Sequence, residues 1–363
     1  MPVLVAQKPE WLPFSITDHA DARLAVMVAT TAFVGILMYL LSPMVVGFCR
    51  RMGLVSAVTE RSSHTIPTPH GGGILLPLVV TPVALALTWL WPLPFKGYLS
   101  VLLLSGLLVA YVSWLDDRHE LSPRIRLLIH LFAVAITLFL LPQLFDFMPL
   151  YLEKVLILFG WTWFVNLYNF MDGADGLATT QAIAMGLGLS ILVPELAPVG
   201  LVLAAAGTGF LRVNGPPAKV FMGDVGATWL GFIIAGLFLL AAVDDTVNVI
   251  WPLATLPLVF ATDATTTLVR RVLQGHKPWE PHKTFWFHRF MALGHTHGQL
   301  VASVAGLNLV LFLCGWLSYR SGKPFTGFLA GLLVICAVAC YIRAREQAKH
   351  RGSSNHVKRP QGH

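Results

Sequence analysis

Asp116 and Asp117 stand side by side where an apolar run ends, Trp114–Leu–Asp–Asp117. Adjacent carboxylates there can hold one divalent cation together, or divide metal binding and proton transfer between them. Hard Mg²⁺ is bound in this way, by a few carboxylates that leave room for substrate phosphate oxygens. The alternative is a solvated loop pair neutralised by Arg118. A second constellation, Asn166, Asn169 and Asp172, has a spacing of three that sets it along one helical face. Gly173 and Gly176 then let the chain turn, and Asp175 follows Asp172 by the same spacing. Amide donors beside carboxylates suit a sugar, a nucleotide or a metal-bound phosphate. Helix capping by an aspartate would need neither asparagine. A third group lies in the loop 214–226, where Lys219 and Asp224 are set among glycines. Glycine admits close approach of backbone to phosphate, and Asp224 can complete a metal shell or simply cap a helix.

Two further loops carry cations and imidazoles. In Arg61–Ser–Ser–His–Thr–Ile–Pro–Thr–Pro–His–Gly–Gly–Gly73, Arg61 and His64 are expected anion contacts, and the three glycines are expected to present backbone amides to a ligand. Contact of this basic loop with lipid headgroups is the other reading. The stretch 272–298 holds His276, His282, His288, His295 and His297. It has neither an H-E-x-x-H motif nor a Cys/His cluster, so zinc is disfavoured. Contact with a nucleotide or diphosphate, aided by Lys283 and Arg289, is the expectation. A fourth acid, Asp263, precedes Arg270–Arg271.

The elements that must position these residues are apolar. The chain of 363 residues is 56% hydrophobic and only 12% charged, against about 25% charged in soluble domains. Runs of the length that crosses a bilayer fall at 24–48, 74–92, 98–115, 125–142, 150–170, 177–194, 197–213, 226–243, 249–271, 299–319 and 325–343. The expected fold is an all-α polytopic integral membrane protein of about eleven transmembrane helices: a short extracytoplasmic segment 1–23, a transmembrane catalytic domain 24–343 and a basic cytoplasmic tail 344–363, expected to be disordered. The first 23 residues have no signal-peptide pattern, so the first span is expected to be retained. Cys49, Cys314, Cys336 and Cys340 lack metal-like spacing and are expected to be buried hydrophobes.

With eleven crossings, 19 of the 25 Lys and Arg residues fall on one side, which is therefore the cytoplasmic one. The amino terminus is then outside and the carboxyl terminus in the cytoplasm. The same parity places all four acidic groups on that face. Carboxylates at membrane ends are costly unless they build a polar site, so one cytoplasmic, metal-dependent active site is expected. The net charge of +7 is spread over short loops and the tail, without the aromatic-interleaved basic face of a nucleic-acid binder.

Together these motifs resemble the polyprenyl-phosphate N-acetylhexosamine-1-phosphate transferases. The resemblance runs over roughly 24–343 and rests on R-S-S-H-T-I-P-T-P-H-G-G-G (61–73), W-L-D-D-R-x-x-L-S-P-R-I-R-L (114–127), N-L-Y-N-F-M-D-G-A-D-G-L-A (166–178), N-G-P-P-A-K-V-F-M-G-D-V-G-A (214–227) and R-R…G (270–275), in family order. It implies transfer of a sugar-1-phosphate from a UDP-sugar to undecaprenyl phosphate, with release of UMP, in the bacterial inner membrane. It also implies Mg²⁺ or Mn²⁺ as cofactor, and allows a homodimer.

Carried residue by residue, the resemblance implies Asp116, Asp117, Asp172 and Asp175 as catalytic residues, with Asp117 and Asp224 on the metal. Arg61, His64, Asn166, Asn169, Lys219, His282, Lys283 and His288 are the implied substrate contacts. Direct attack and a two-step route through an aspartyl intermediate both remain open. The chain departs from the family at Phe285, where a histidine of an H-x-H-H motif is usual, and at Ala227, where a serine is usual. Absence of an F-H-H-H-F-E loop favours the surface-polysaccharide branch (O-antigen or similar) over the muramoyl-pentapeptide one. An ion-coupled transporter would place broken helices at mid-membrane instead. A catalytically impaired lipid-binding paralogue is the reading that Phe285 keeps open.

Overall fold

The computed structural model describes residues 20–56, 67–91, 93, 95–119, 121–243, 245–277 and 282–357. Its helices are α1 (Ala20–Arg51), α2 (Leu75–Leu90), α3 (Lys96–His119), α4 (Pro123–Phe139), α5 (Leu150–Phe170), α6 (Leu177–Leu192), α7 (Ala197–Asn214), α8 (Gly223–Ala241), α9 (Thr246–Thr255), α10 (Leu258–Leu273), α11 (Trp286–Ala292), α12 (His297–Arg320) and α13 (Pro324–Val357). The sheet consists of two antiparallel two-residue strands, Val55–Ser56 and Thr68–Pro69. The protein is an all-α, polytopic integral membrane protein.

Every expected span is helical, but the spans are not equivalent. Among the described residues, eight helices are long and apolar enough to cross a bilayer, and α9 with α10 makes a ninth if counted as one. That pair bends by 73°, where the sequence predicts one straight span over 249–271. Pro257 sits at the break and has no N–H to continue the helical ladder. Helices α4 and α6, of 17 and 16 residues, are shorter than the ~20 residues needed for a full crossing.

The centre of the bundle is α8, with 83% of its apolar window buried against 11% for α1. It packs on α3 and α5 through small residues. A methyl group added at Gly236 would stand 2.3 Å from Leu102, and one at Gly231 would stand 2.9 Å from Tyr168. Close backbone approach of this kind replaces the hydrophobic driving force that lipid does not provide. Buried polar groups cross between the same helices. Ser113 and Thr228 share a hydrogen bond of 2.7 Å, and the Trp161 indole N–H donates to the Phe232 carbonyl at 3.0 Å. The outer faces are apolar instead, with Phe139, Tyr151 and Leu333 exposed as lipid-facing side chains are.

Two expectations are corrected. The tail from Arg343 is not disordered through its length: α13 continues to Val357. Glu346 on that extension holds Arg289 of α11 by two hydrogen bonds, and Lys349 donates to the Ala292 carbonyl at 2.7 Å. Partners on α11 thus hold a segment that composition alone would leave free. Of the cysteines, Cys49 is buried, whereas Cys336 and Cys340 on α13 are exposed.

Candidate active site

One end of the bundle gathers the end of α3, the start of α8, the turn after α5, the loop before α2 and the short helix α11. The first turn of α8 leaves N–H groups without helical partners. The Asp117 carboxylate fills that need, accepting from the Asp224 N–H at 3.0 Å and the Val225 N–H at 3.1 Å. Each oxygen keeps a lone pair for a further partner. Gly223 is required for this approach. Its φ is +75°, and a Cβ there would stand 2.6 Å from the Gly71 nitrogen and 2.8 Å from an Asp117 oxygen.

The loop before α2 is laced to the same place. Phe221 N–H donates to Pro69, Gly72 N–H to Phe221 and Gly73 N–H to Met222, at 2.8, 3.0 and 2.8 Å. The Gly72 and Gly73 amides are therefore spent on the neighbouring loop and are not presented to a ligand, contrary to expectation. These glycines serve packing: a Cβ on Gly73 would stand 2.7 Å from the Gly226 Cα. His70, from the same run, places Nε2 3.1 Å from the Asp117 carbonyl and Nδ1 3.3 Å from Ser56 Oγ.

Asp116 and Asp117 diverge. Asp116 is buried and turned to α4, accepting from the Leu121 N–H and from Arg126 Nη1, both at 2.6 Å. The same Arg126 nitrogen reaches Asp224 at 2.8 Å. Adjacent helical residues point about 100° apart, so Asp117 turns to the start of α8 while Asp116 turns to α4. Arg126 instead links Asp116 to the metal-site candidate.

A cleft of about 410 Å³ opens between these elements, lined by Asp117, Asn169, Asp172, Asp175, Asp224 and His288 among others. Burial and the nearby carboxylates of Asp224, Asp117 and Asp175 push the Asp172 carboxyl well above its usual range, against a hydrogen bond from the Gly223 N–H. Asp175 accepts from the Ala218 N–H at 3.0 Å, and His297 Nδ1 lies 3.2 Å from its other oxygen. His297 begins α12, so the start of that helix is tied to the turn after α5.

The histidine segment enters through α11. Its first N–H groups are capped by Asp263 of α10, which accepts from Trp286 at 2.7 Å and Phe287 at 3.3 Å. Asp263 is thus a helix cap that sets α11, not a fourth acid of the cleft. Gly173 is a glycine because the Phe287 ring occupies the position of its Cβ, 2.6 Å away. His288 faces the cleft beside that ring, with centroids 4.0 Å apart. Burial, with His282, Lys283 and His297 nearby, pushes the His288 imidazole down to about 4.

Several expected contacts stand elsewhere. Asn166 lies a turn deeper and donates back to the Thr162 carbonyl at 2.7 Å. Lys219 is exposed and does not line the cleft. His282 and Lys283 precede α11 and do not line the cleft. The His282 ring lies tilted against Phe285, with centroids 4.5 Å apart, while Phe285 is buried against Phe287. Arg61 and His64 lie outside the described residues. Conversely, Arg126, His70, His297 and Asp263 belong to the site or its frame, though the sequence marked them only as a loop cation, a motif member, one of five histidines and a membrane-end acid.

Among the described residues, no three His, Cys, Asp or Glu side chains are placed to hold a metal by themselves. The cleft offers carboxylate and amide oxygens instead, a donor set suited to Mg²⁺ or Mn²⁺ whose remaining ligands are phosphate and water.

Residues 99–242 match the model of glycosyl transferase family 4. The chain is 28% identical over 300 residues to a probable undecaprenyl-phosphate N-acetylglucosaminyl 1-phosphate transferase of Bacillus subtilis (strain 168), covering 77% of this chain and 79% of the relative. It is 27% identical over 337 residues to the decaprenyl-phosphate N-acetylglucosaminephosphotransferase of Mycobacterium tuberculosis (strain ATCC 25618 / H37Rv), covering 80% and 82%. It is 30% identical over 280 residues to a phospho-N-acetylmuramoyl-pentapeptide-transferase of Synechococcus sp. (strain JA-2-3B'a(2-13)), covering 69% and 78%.

Proposed function

The chain belongs to glycosyl transferase family 4, the polyprenyl-phosphate N-acetylhexosamine-1-phosphate transferases, and from that premise we propose its reaction. The protein acts as a sugar-phosphate transferase on a polyprenyl phosphate with a nucleotide-sugar donor. In the finer reading, N-acetylhexosamine-1-phosphate passes from a UDP-sugar to undecaprenyl phosphate, leaving UMP. This is the first membrane step of a surface polysaccharide such as O-antigen. Relatives named for N-acetylglucosamine transfer support UDP-GlcNAc as the first donor to test.

The observation that carries the proposal is the acid-lined cleft at the end of an apolar bundle. An anionic diphosphate enters a ring of carboxylates only with a cation between them. Asp117 and Asp224 are the proposed ligands, with Asn169 beside them. Bound there, Mg²⁺ or Mn²⁺ supplies charge neutralisation for the diphosphate and for the departing UMP. Asp117 is fixed by the α8 amides, so it presents its free lone pairs without reorganisation. Asp224 is oriented by Arg126. Asp172 and Asp175 face the same space, and one of them takes the proton that leaves the lipid phosphate as nucleophile. That phosphate oxygen bonds to the sugar-bearing phosphorus as the bond to the UMP oxygen breaks. His288, neutral near pH 7, is a hydrogen-bonding wall for the donor and carries no counter-charge.

The proposed setting is the bacterial inner membrane, with the cleft in the cytoplasm where nucleotide sugars are made. The test is purified protein in detergent with Mg²⁺, undecaprenyl phosphate and a panel of radiolabelled UDP-HexNAc donors. Formation of a lipid-linked, labelled product with stoichiometric UMP is expected, and its abolition by chelation. Absence of product from every donor with folded protein rejects the reading.

A further inference from the structure

The face of α11 opposite the cleft borders a second cavity. His288 looks into the cleft, whereas Trp286 and Arg289 line a void of about 690 Å³ between α10 and α13. Its composition changes along its depth. Arg270 and Arg271 at the end of α10 and Arg343 on α13 stand at the mouth. Leu332 and Ile335 line the deeper part, about 16 and about 12 Å from Arg343 along α13 at 1.5 Å per residue. Among the described residues, no carboxylate lines the cavity. Arg289 is held by Glu346, which leaves the other three arginines as the cationic rim. Within that rim the Arg271 Nε–H is buried and, among the described residues, has no acceptor. The hydroxyls of Thr262 and Thr266 donate to their own helix at Leu258 and Thr262, so they present their methyl groups.

A cationic mouth over an apolar shaft, at the membrane end of two helices, is complementary to an amphiphile with an anionic head. Basic pockets between transmembrane helices hold phosphate headgroups in this way. We propose that this cavity binds an anionic glycerophospholipid of the bilayer, its phosphate against Arg270, Arg271 and Arg343 and an acyl chain along Leu332 and Ile335. The phosphate supplies the acceptor that Arg271 Nε lacks. The lipid is distinct from the polyprenyl substrate. Asp117 and Asp224 are absent from this lining, and α11, with Phe287 seated against Gly173, lies between the two spaces. Occupancy also packs Trp286 and the Arg289–Glu346 tie from outside, and so supports the helix that carries His288.

Two native thiols report on the site. Cys336 and Cys340 line the cavity, while Cys314 does not. Delipidated protein in neutral detergent is to be titrated with phosphatidylglycerol, with phosphatidylethanolamine or with undecaprenyl phosphate, reading alkylation of each thiol by N-ethylmaleimide and lipid retention by native mass spectrometry. Phosphatidylglycerol is expected to slow alkylation at Cys340 and Cys336, to leave Cys314 unchanged and to be retained as one lipid per chain. Three arginines at about 1 kcal/mol each give a preference on the order of 10²-fold over phosphatidylethanolamine. The Arg270→Gln, Arg271→Gln, Arg343→Gln protein should lose that preference. The thiol measurement on the unaltered chain decides the matter should the triple variant fail to fold. Equal protection by both phospholipids, no protection of Cys340, or displacement of phosphatidylglycerol by equimolar undecaprenyl phosphate would overturn the proposal. None of these readouts depends on transferase activity.

Discussion

Asp117 and Asp224 show how one carboxylate frames a site while its neighbour in space remains available. Asp117 spends one lone pair of each oxygen on the α8 amides. Asp224 is paired with Arg126, and both partners of that pair are partly exposed. An ion pair of this exposure contributes little to stability, and an asparagine there still accepts from Arg126. Asp224→Asn is therefore expected to fold normally by thermal unfolding, yet to lose turnover on the order of 10²–10³-fold, as when one transition-state electrostatic partner is removed. Near-wild-type turnover would dismiss Asp224 as a metal ligand. At this scale the sequence identified the chemical types better than their directions. Adjacent Asp116 and Asp117 read as one pair, but helical geometry sends them to different neighbours. Asn166 and Asn169 read as one face, yet Asn166 lies a turn deeper and satisfies itself on Thr162. No spacing rule separates a side chain that reaches the cleft from one bound to its own helix.

Helix α11 is too short to be stable by its own hydrogen bonds, so its position is set by what holds it: the Asp263 cap, the Glu346 tie and the aromatic stack of Phe285, Phe287 and His288. The sequence showed a histidine-bearing loop here. It did not show that two phenylalanines make the loop a packed helix, because the seat of the Phe287 ring is Gly173, in the turn after α5 and far along the chain. The packing makes the element sensitive to acid. His288 and His282 are both pushed down to about 4 in the folded protein, largely by burial, from an ordinary value of about 6.5. Above pH 6.5 neither state binds the proton and the full stability of the segment is present. Between 6.5 and 4 the detached segment takes up protons that the packed one refuses, so stability falls as pH falls. Hydrogen exchange corrected for intrinsic rates should show α11 amides losing protection from pH 6.5 to 4.5. His288→Phe should reduce the loss, with His282 supplying the remainder. Protection independent of pH in the unaltered protein would mean that these rings are solvated.

At the scale of the molecule, hydropathy located every helical span but could not weigh them. It joined α9 to α10 across Pro257, whose bend was the readable warning. It also gave α4 and α6 full crossings, although 17 and 16 residues reach only about 25 Å at 1.5 Å per residue, short of a hydrocarbon core of roughly 30 Å. Such a mismatch is met by local thinning of the bilayer or by neighbouring helices, and α6 is largely enclosed by others. The ends of the helices are nevertheless sorted by contacts that hydropathy does not see. Asp117 with Val225, Asp175 with His297 and Arg289 with Glu346 tie one end of the bundle. Glu153 with Leu144 and Lys154 with Leu141 tie the other. The cleft end also carries most of the cations, the asymmetry on which its proposed cytoplasmic placement rests. His119 is exposed at the cleft end, and Phe147 is 81% exposed at the opposite end. In a background with the four native cysteines replaced by serine, Phe147→Cys should react with a membrane-impermeant maleimide in cells whose outer barrier alone is opened. His119→Cys should react only after the inner membrane is breached. Labelling of both from one side would break the parity of the helices, and exchange of the two patterns would invert the protein and remove the cleft from the compartment that supplies its donor.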